Sequence, residues 1–459
     1  MPNYKSKDNN DNRNQGIQIR PSDLKEKMDK AEDLFILDVR TPQEHESLKL
    51  SYNRYEDSLL VPIDALASFP DILGKEHQIP KDKQIITLCS HGIRSMMAAK
   101  YLTQLGYNAR SIEGGLSAWN NVYDIASIPL GDANLSSKIK IWQLRRVSKG
   151  CIGYLVASEV DKIAIAIDAT CDINDVVAQI ADANNLHITK IIDTHLHADH
   201  ISGASLLAKI YRAEVYLSSF EGYEIDENDN DDNGGNAGII FKQLRDNERI
   251  NISKGISLVS LYTPGHTTGS MCLKLDIDYE DNYSINYGLK KHNNSDYNKT
   301  DDNAIYSRNS DNNNNIATTS STTRAKSSIL FAGDTLFVNG IGRPDLQNKA
   351  HESTYNLYNT YQQKILNLPK ETLVLPGHFN DSFEHQKPIF DTLGSIRNNV
   401  KVLSLSKDEF FMFVQKSLDN LQQPLNYKKI IDINKKMLSC DKVKIPDLEY
   451  GPNSCGIQI

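Results

Sequence analysis

Residues 194–200, THLHADH, place the imidazoles of His195, His197 and His200 and the carboxylate of Asp199 in one short stretch. The apolar run KIID (residues 190–193) ahead of it reads as a strand, and SGASLLAKIY (residues 202–211) behind it reads as a helix. The four groups then sit in a strand-to-helix loop, where they can converge instead of pointing round a helix. Neutral imidazole with carboxylate suits zinc, iron or manganese, and is harder than the thiolates that select copper(I) or iron–sulfur clusters. The competing reading is a histidine-rich capping loop. Three further Gly-flanked turns argue against it, each delivering one more ligand after an apolar run: His266 in TPGHTTGS, Asp334 in FAGDTLF and His378 in LPGHFN. Alone, His266 or His378 would read as a hydrogen-bonded structural histidine; beside the first cluster, each reads as part of a metal site. Loops at strand ends are where α/β folds assemble sites, because the sheet fixes positions while the loops vary.

The surrounding chain is long enough for more than one core. At 459 residues, two or three domains are expected. The runs LFILD (residues 34–38) and QIITLC (residues 84–89), with the amphipathic SMMAAKYLTQLG stopped by Gly106, predict a small α/β domain over residues 17–130 behind a flexible arm at 1–16. A linker is expected at 131–140. A second domain over 141–400 opens with strands CIGYLVAS and KIAIAID and a helix near 173–183, and residues 401–459 extend it with the helical pattern KDEFFMFVQKSLDNL. Two polar segments, about 226–238 and 280–328, have too little apolar surface to offset chain entropy and read as disordered insertions. The formal charge of −8 supplies no basic stripe, which argues against nucleic acid. No stretch reads as a membrane span, and the polar N-terminus lacks an apolar signal region, so a cytoplasmic location is expected. Cys89, Cys151, Cys171, Cys272, Cys440 and Cys455 are scattered without a CxxC pair or a disulfide framework, the usage of a reducing compartment. Apart from Cys89 they read as buried small hydrophobes or plain surface thiols.

Cys89 opens a second motif. CSHGIRS, made of Cys89, Ser90, His91, Gly92, Ile93, Arg94 and Ser95, follows a strand and precedes a helix, so the thiol lies in a cradle of backbone N–H groups at a helix N-terminus. Gly92 permits the tight loop, and Arg94 supplies a cation for thiosulfate or a persulfide. A buried strand-end cysteine is the bland alternative; the spacing of Gly92 and Arg94 argues against it. With LDVRTPQEHE (residues 37–46) and IEGGLSAW (residues 112–119), this pattern resembles the rhodanese sulfurtransferases. The resemblance implies that Cys89 forms a persulfide and passes its outer sulfur on. SLKLSYNRYEDSLLVP (residues 47–62) stands where that family shows a short Gly-His phrase, a departure that bears on substrate approach.

The larger ligand set, His195, His197, Asp199, His200, His266, Asp334 and His378, resembles the metallo-β-lactamase fold superfamily. That implies an αββα sandwich with the metal at one edge of two sheets, so the whole chain is expected to be α/β and α+β. Within the superfamily, GDTLFVNGIGRPDLQ (residues 333–347) and the C-terminal region look like the persulfide dioxygenases, which oxidise a thiol persulfide to sulfite with dioxygen at an iron. Carried over by motif, the Fe(2+) ligands are His195, His266 and Asp334. His197, Asp199, His200 and His378 then orient the ligands or form a second metal position, and Arg343 contacts the thiol substrate. Glyoxalase II, a thioester hydrolase with two metal ions, here Zn(2+), shares nearly all of these ligands and is the alternative. A non-enzymatic persulfide sensor or sulfur-delivery scaffold is a third reading, disfavoured because the full ligand set is kept. Expected partners are a low-molecular-weight thiol persulfide, thiosulfate or sulfite, and dioxygen, with room for a homo-oligomer. Two departures are a long His266–Asp334 spacing, which excision of the polar run would shorten, and GHFND in place of a Gly-His-Asp-Tyr ending.

Overall fold

Successive side chains of a pleated strand point to opposite faces, and the strands pair into two main sheet systems. The computed structural model describes residues 16–50, 52, 55, 57–68, 79–131, 133–225, 236, 238–277, 329–347, 349–379, 384–438, 440, 445–449 and 455–459. Nearly all of the arm and both polar insertions expected from the sequence lie outside the described residues.

The first system is a five-stranded parallel sheet of β1 (Gln18–Ile19), β2 (Leu34–Asp38), β3 (Leu59–Leu60), β4 (Gln84–Leu88) and β5 (Ala109–Ile112), in the order β1-β5-β4-β2-β3. Both faces are covered, which is why β2 and β4 read as unbroken apolar runs. Ile36, Ile86 and Leu88 pack with Leu24 and Met28 of helix Pro21–Asp29 on one face. Leu37, Val39 and Ile85 pack with Ala98, Ala99 and Leu102 of helix Ile93–Gln104 on the other.

The second system is a sandwich of two sheets. One has seven strands: β6 (Tyr123–Ser127), β7 (Ile139–Arg146), β8 (Ile152–Ser158), β9 (Ile163–Ile167), β10 (His187–Asp193), β11 (Glu214–Ser218) and β12 (Ile240–Leu244), paired in sequence order. The other comprises β13 (Arg249–Ser253), β14 (Ile256–Tyr262), β15 (Met271–Ile277) and β16 (Ile329–Gly333), with β18 (Leu373–Pro376) and β19 (Asp391–Thr392) completing it; β17 (Gly340–Gly342) pairs separately with β20 (Gly456–Gln458). Alternation assigns each residue a layer. Ile152, Tyr154 and Val156 of β8 meet Phe331 and Leu375 of the opposite sheet, whereas Leu155 and Ala157 turn outward to Val177, Ile180 and Leu207 of the covering helices. Leu330, Ala332 and Val374 likewise turn outward, to Leu357, Tyr361 and Phe410. The result is the expected αββα arrangement. Among the described residues no helix is long and apolar enough to cross a membrane.

Two expectations change. Residues 123–127, expected to close the first domain, form β6 and pair antiparallel with β7, so this strand belongs to the second sheet. The region expected to be a linker instead contains helix Ala133–Lys138 and the start of β7 at Ile139. The partner of Tyr123–Ser127 lies beyond the polar stretch, a pairing that local pattern does not reveal. The cysteine reading also needs correction, because Cys171 and Cys440 form a disulfide with Cα atoms 5.7 Å apart. Their separation of 269 residues hides the pair from any reading of spacing. The free cysteines Cys89, Cys151, Cys272 and Cys455 are all buried.

The two systems meet at Asp124, fully buried at the start of β6. Its carboxylate pairs with Lys25 from the first unit at 2.8 Å and with Arg145 of β7, and accepts from Gln386 N at 3.0 Å. His385 Nδ1 lies 2.5 Å away on the same carboxylate. Such a charge is tolerated in the interior only because every side of it is paired.

Candidate metal centre and cysteine loop

The metal ligands foreseen from the sequence all arrive at one edge of the sandwich, on loops that leave β10, β14, β16 and β18. His195, His266 and Asp334 converge: Asp334 Oδ2 is 3.7 Å from His195 Nε2 and 3.5 Å from His266 Nε2. These separations are too long for hydrogen bonds, and these three atoms are buried without a hydrogen-bond partner among the described residues. Ligand atoms about 2.1 Å from one shared ion stand roughly 3.0–3.4 Å apart, so the three atoms need close by only a few tenths of an ångström to share a metal. Buried polar atoms left unsatisfied in this way are otherwise costly, by about 1–3 kcal/mol each. The donor set therefore fits a divalent cation.

The ligand rings are oriented from behind. His266 Nδ1 donates to Arg343 O at 2.9 Å, leaving the Nε2 lone pair directed at Asp334. Thr194 Oγ1 donates to Asp168 Oδ2 at 2.8 Å and so accepts from His195 Nδ1 at 2.9 Å, which fixes the same tautomer there. Burial and the neighbouring His197 lower the pKa of His195 well below its ordinary value, and burial lowers that of His266, so both rings are held neutral. Burial opposes ionisation of Asp334, but the facing His378 holds its carboxyl below the usual range.

The remaining candidates divide into two groups. His197 Nε2 lies 3.4 Å from Asp168 Oδ1. Asp199, His200 and His378 gather with Cys151, and their ligand atoms all lie within 4.8 Å of one another. In that group Asp199 Oδ2 accepts from Cys151 Sγ at 3.1 Å and contacts His378 Nε2 at 3.0 Å, while His200 Nδ1 lies 3.1 Å from the same carboxylate. His378 links the groups, since its Nδ1 is 2.6 Å from Asp334 Oδ1. Burial acts against charge on His378, yet the flanking Asp334 and Asp199 raise its pKa well above the ordinary value.

Sequence reasoning missed Asp168, Cys151 and Cys455. Asp168 ends the apolar run of β9 as Asp334 ends that of β16, so the strand-end rule could have found it. Cys455 joins Asp334 and His378 from the far end of the chain, brought in by β20, and no local signal marks it. Arg343 is placed differently from its expected role. It is fully buried, its Nε and Nη2 bind Asp345 at 2.7 and 2.8 Å, and its Nη1 donates to Gln422 O. Asp345 thus occupies the fork foreseen for a substrate carboxylate, and Arg343 reaches the centre through its carbonyl on His266.

The cysteine loop takes the expected form. Cys89 Sγ accepts from Gly92 N at 3.2 Å and Ser95 N at 3.4 Å, with Ser95 Oγ at 3.3 Å. Gly92 opens helix Ile93–Gln104 with a φ of 84°, in the region glycine adopts without strain. The other two motifs hold this loop in place. A side chain at Gly115 would stand 2.3 Å from Cys89 O, and Leu116 N and Ser117 N donate to Cys89 O and Ser90 O. From the first motif, buried Arg40 pairs with Asp38 at 2.6 Å and ties Glu44 O and Leu48 O. Glu44, in a capping box with Thr41, crosses to Arg94, whose Nη1 and Nη2 donate to its carboxylate at 2.8 and 2.5 Å. The Arg94 cation is therefore held at the mouth of the loop by Glu44, which also accepts from Ser90 Oγ.

Residues 20–122 match the family of rhodanese-like domains, and residues 154–281 match the metallo-beta-lactamase superfamily. A putative sulfurtransferase of Bacillus subtilis is 31% identical over 102 residues, 22% of this chain and 88% of that protein. Hydroxyacylglutathione hydrolase of Dictyostelium discoideum is 29% identical over 237 residues, 50% of this chain and 63% of that protein. The mitochondrial persulfide dioxygenase of Bos taurus is 23% identical over 272 residues, 59% of this chain and 78% of that protein. A parallel sheet presenting Cys89 in its N–H cradle, joined to a sandwich with seven candidate ligands at one edge, agrees with both matches: the chain is a rhodanese-like domain followed by a domain of the metallo-β-lactamase superfamily.

Proposed function

We propose that this protein is an enzyme of sulfur metabolism whose second domain oxidises a low-molecular-weight persulfide with dioxygen. The balanced reaction is R–SSH + O2 + H2O giving R–SH, sulfite and two protons: the terminal sulfur is oxidised and dioxygen is reduced. The supporting observation is the unpartnered set of His195 Nε2, His266 Nε2 and Asp334 Oδ2, beside a second group whose members already bond to one another. Two imidazoles and one carboxylate form the set that holds non-haem iron(II) and leaves adjacent positions open. Iron bound there would supply the one-electron chemistry that dioxygen needs to react with a sulfur lone pair. Around it, Thr194 and the Arg343 carbonyl hold the imidazole tautomers, and buried His378 holds a proton between Asp334 and Asp199.

The first domain, in this reading, exchanges sulfane sulfur on Cys89. The donor sulfur forms an S–S bond to the thiolate as its bond to sulfite or to the carrier thiol breaks, and the three donors around Sγ stabilise the anionic sulfur. Joining both units raises the local concentration of the shared persulfide.

A dinuclear thioester hydrolase is the second reading, favoured by the higher identity to hydroxyacylglutathione hydrolase and by the Cys151, Asp199, His200 and His378 cluster. The deciding experiment measures bound metal in the purified full chain and follows dioxygen uptake with cysteine persulfide. One iron per chain with sulfite formation is expected. Two zinc ions, hydrolysis of a glutathione thioester and no dioxygen uptake would replace this proposal with the hydrolase.

A further inference from the structure

The loop that carries His195, His197, Asp199 and His200 has no helix or strand of its own. Its backbone polar groups are buried and must find partners elsewhere. Leu196 N and His195 O find theirs on Glu221 and Tyr223, but four groups at the far end of the loop find them on the C-terminal segment, more than 230 residues away. Asn434, itself 2% exposed near the end of helix Tyr427–Lys435, donates from Nδ2 to His197 O at 2.9 Å and to His200 O at 2.8 Å. Its Oδ1 accepts from Ser202 N at 2.9 Å. Both donors and the acceptor of one amide are thus engaged by the metal loop, and the reversed amide would set oxygen against two carbonyls, so only one orientation works.

The segment around Asn434 is itself fastened. Ser205 Oγ donates to Met437 O at 2.9 Å, and Cys440 is bonded to Cys171, whose N donates to Ile201 O. Further along, Glu449 Oε1 accepts from Ile201 N at 2.7 Å, and its Oε2 pairs with buried Arg146.

We propose that Asn434 is a positioning residue for the metal ligands, held at its post by the Cys171–Cys440 tether, so that the C-terminal segment sets how firmly the second domain keeps its metal. The inference rests on the metal-centre reading above but not on the reaction assigned to it. Two replacements of similar size separate hydrogen bonding from packing: Asn434→Asp keeps an acceptor for Ser202 N and loses both donors, and Asn434→Leu loses all three bonds.

The full chain is loaded with zinc, and loss of metal to a colorimetric chelator is timed. Amide exchange at residues 195–202 is followed separately in the metal-free protein, and sulfur transfer by Cys89 reports on folding. Both Asn434 variants should release zinc about 10- to 100-fold faster, the range seen when a partner behind a ligand is removed. Exchange at residues 195–202 should quicken while sulfur transfer holds. Release and exchange at the wild-type rate in both variants would overturn the proposal. Should neither variant fold, Cys440→Ser decides, because it cuts the tether and touches none of the three bonds: faster release upholds the proposal and unchanged release overturns it. Zinc release is read without turnover, so absence of dioxygen uptake would sink the functional reading and leave this one standing.

Discussion

Asp334 divides its two oxygens: Oδ1 meets His378 Nδ1 at 2.6 Å, and Oδ2 faces His266 Nε2 at 3.5 Å with no hydrogen bond. One carboxylate oxygen is thereby fixed by a proton donor while the other is left for a cation. Replacing Asp334 with Asn keeps the shape and removes the charge. Bound metal should fall by at least about tenfold, since a ligand is lost outright. Metal analysis of the purified variant checks this, and wild-type metal content would refute the ligand assignment.

The cysteine loop is separate chemistry. Cys89→Ser should abolish sulfur transfer from thiosulfate to cyanide while leaving metal content and dioxygen uptake unchanged. An assay of both activities on one preparation tests the division of labour, and loss of both together would contradict it.

Gly115 makes a sharper test of the cradle. With φ at +65° and the added carbon of Gly115→Ala only 2.3 Å from Cys89 O and 2.5 Å from Gly92 N, the loop must shift. Sulfur transfer should drop by about 100-fold or more, the cost of roughly 1 Å misplacement in an active site. Retained transfer would show that the loop tolerates displacement.

Glu44 supplies a pH signature. The hydrogen bonds from Arg94 hold its carboxyl well below the ordinary 4.5, against a smaller opposing effect of burial. A carboxyl depressed in the folded state contributes stability that is present above the unfolded pKa and is lost as pH falls through the folded one. Glu44→Gln should therefore be less stable than the wild type at pH 7, and the gap should narrow as pH falls below about 4.5. Urea midpoints across that range measure it; a gap that stays constant with pH would show that Glu44 contributes no charge-dependent stability.

Asp124 joins the two units. Asp124→Ala would take the carboxylate from buried Arg145 and leave Lys25 with Asp29 alone, and removing one member of a buried ionic set costs about 3–5 kcal/mol. Chemical unfolding should show a loss in that range, whereas a loss under about 1 kcal/mol would mean that water enters and screens the site.

Much of the architecture was legible in the chain because it depends on local pattern. LFILD became β2 residue for residue, the helix expected near 173–183 runs Asn174–Asn184, and each foreseen ligand lies just past a strand end. What stayed hidden depends on distant pairing. β6 takes its place from β7, the Cys171–Cys440 bond spans 269 residues, and Cys455 arrives at Asp334 only through β20. Arg343 shows a further limit. The residue type foretold a planar fork for a carboxylate, and the fork is there; that the carboxylate would be Asp345, two positions along, was a matter of backbone course.

Because β6 follows the rhodanese-like unit directly at Val122 and hydrogen-bonds along β7, the halves are not beads on a string. A fragment begun at residue 131 would leave β7 as a naked sheet margin, open to adventitious strand addition and clumping. Any dissection of this protein into single-activity pieces should cut ahead of Tyr123, and the piece so released still forfeits Lys25 against Asp124.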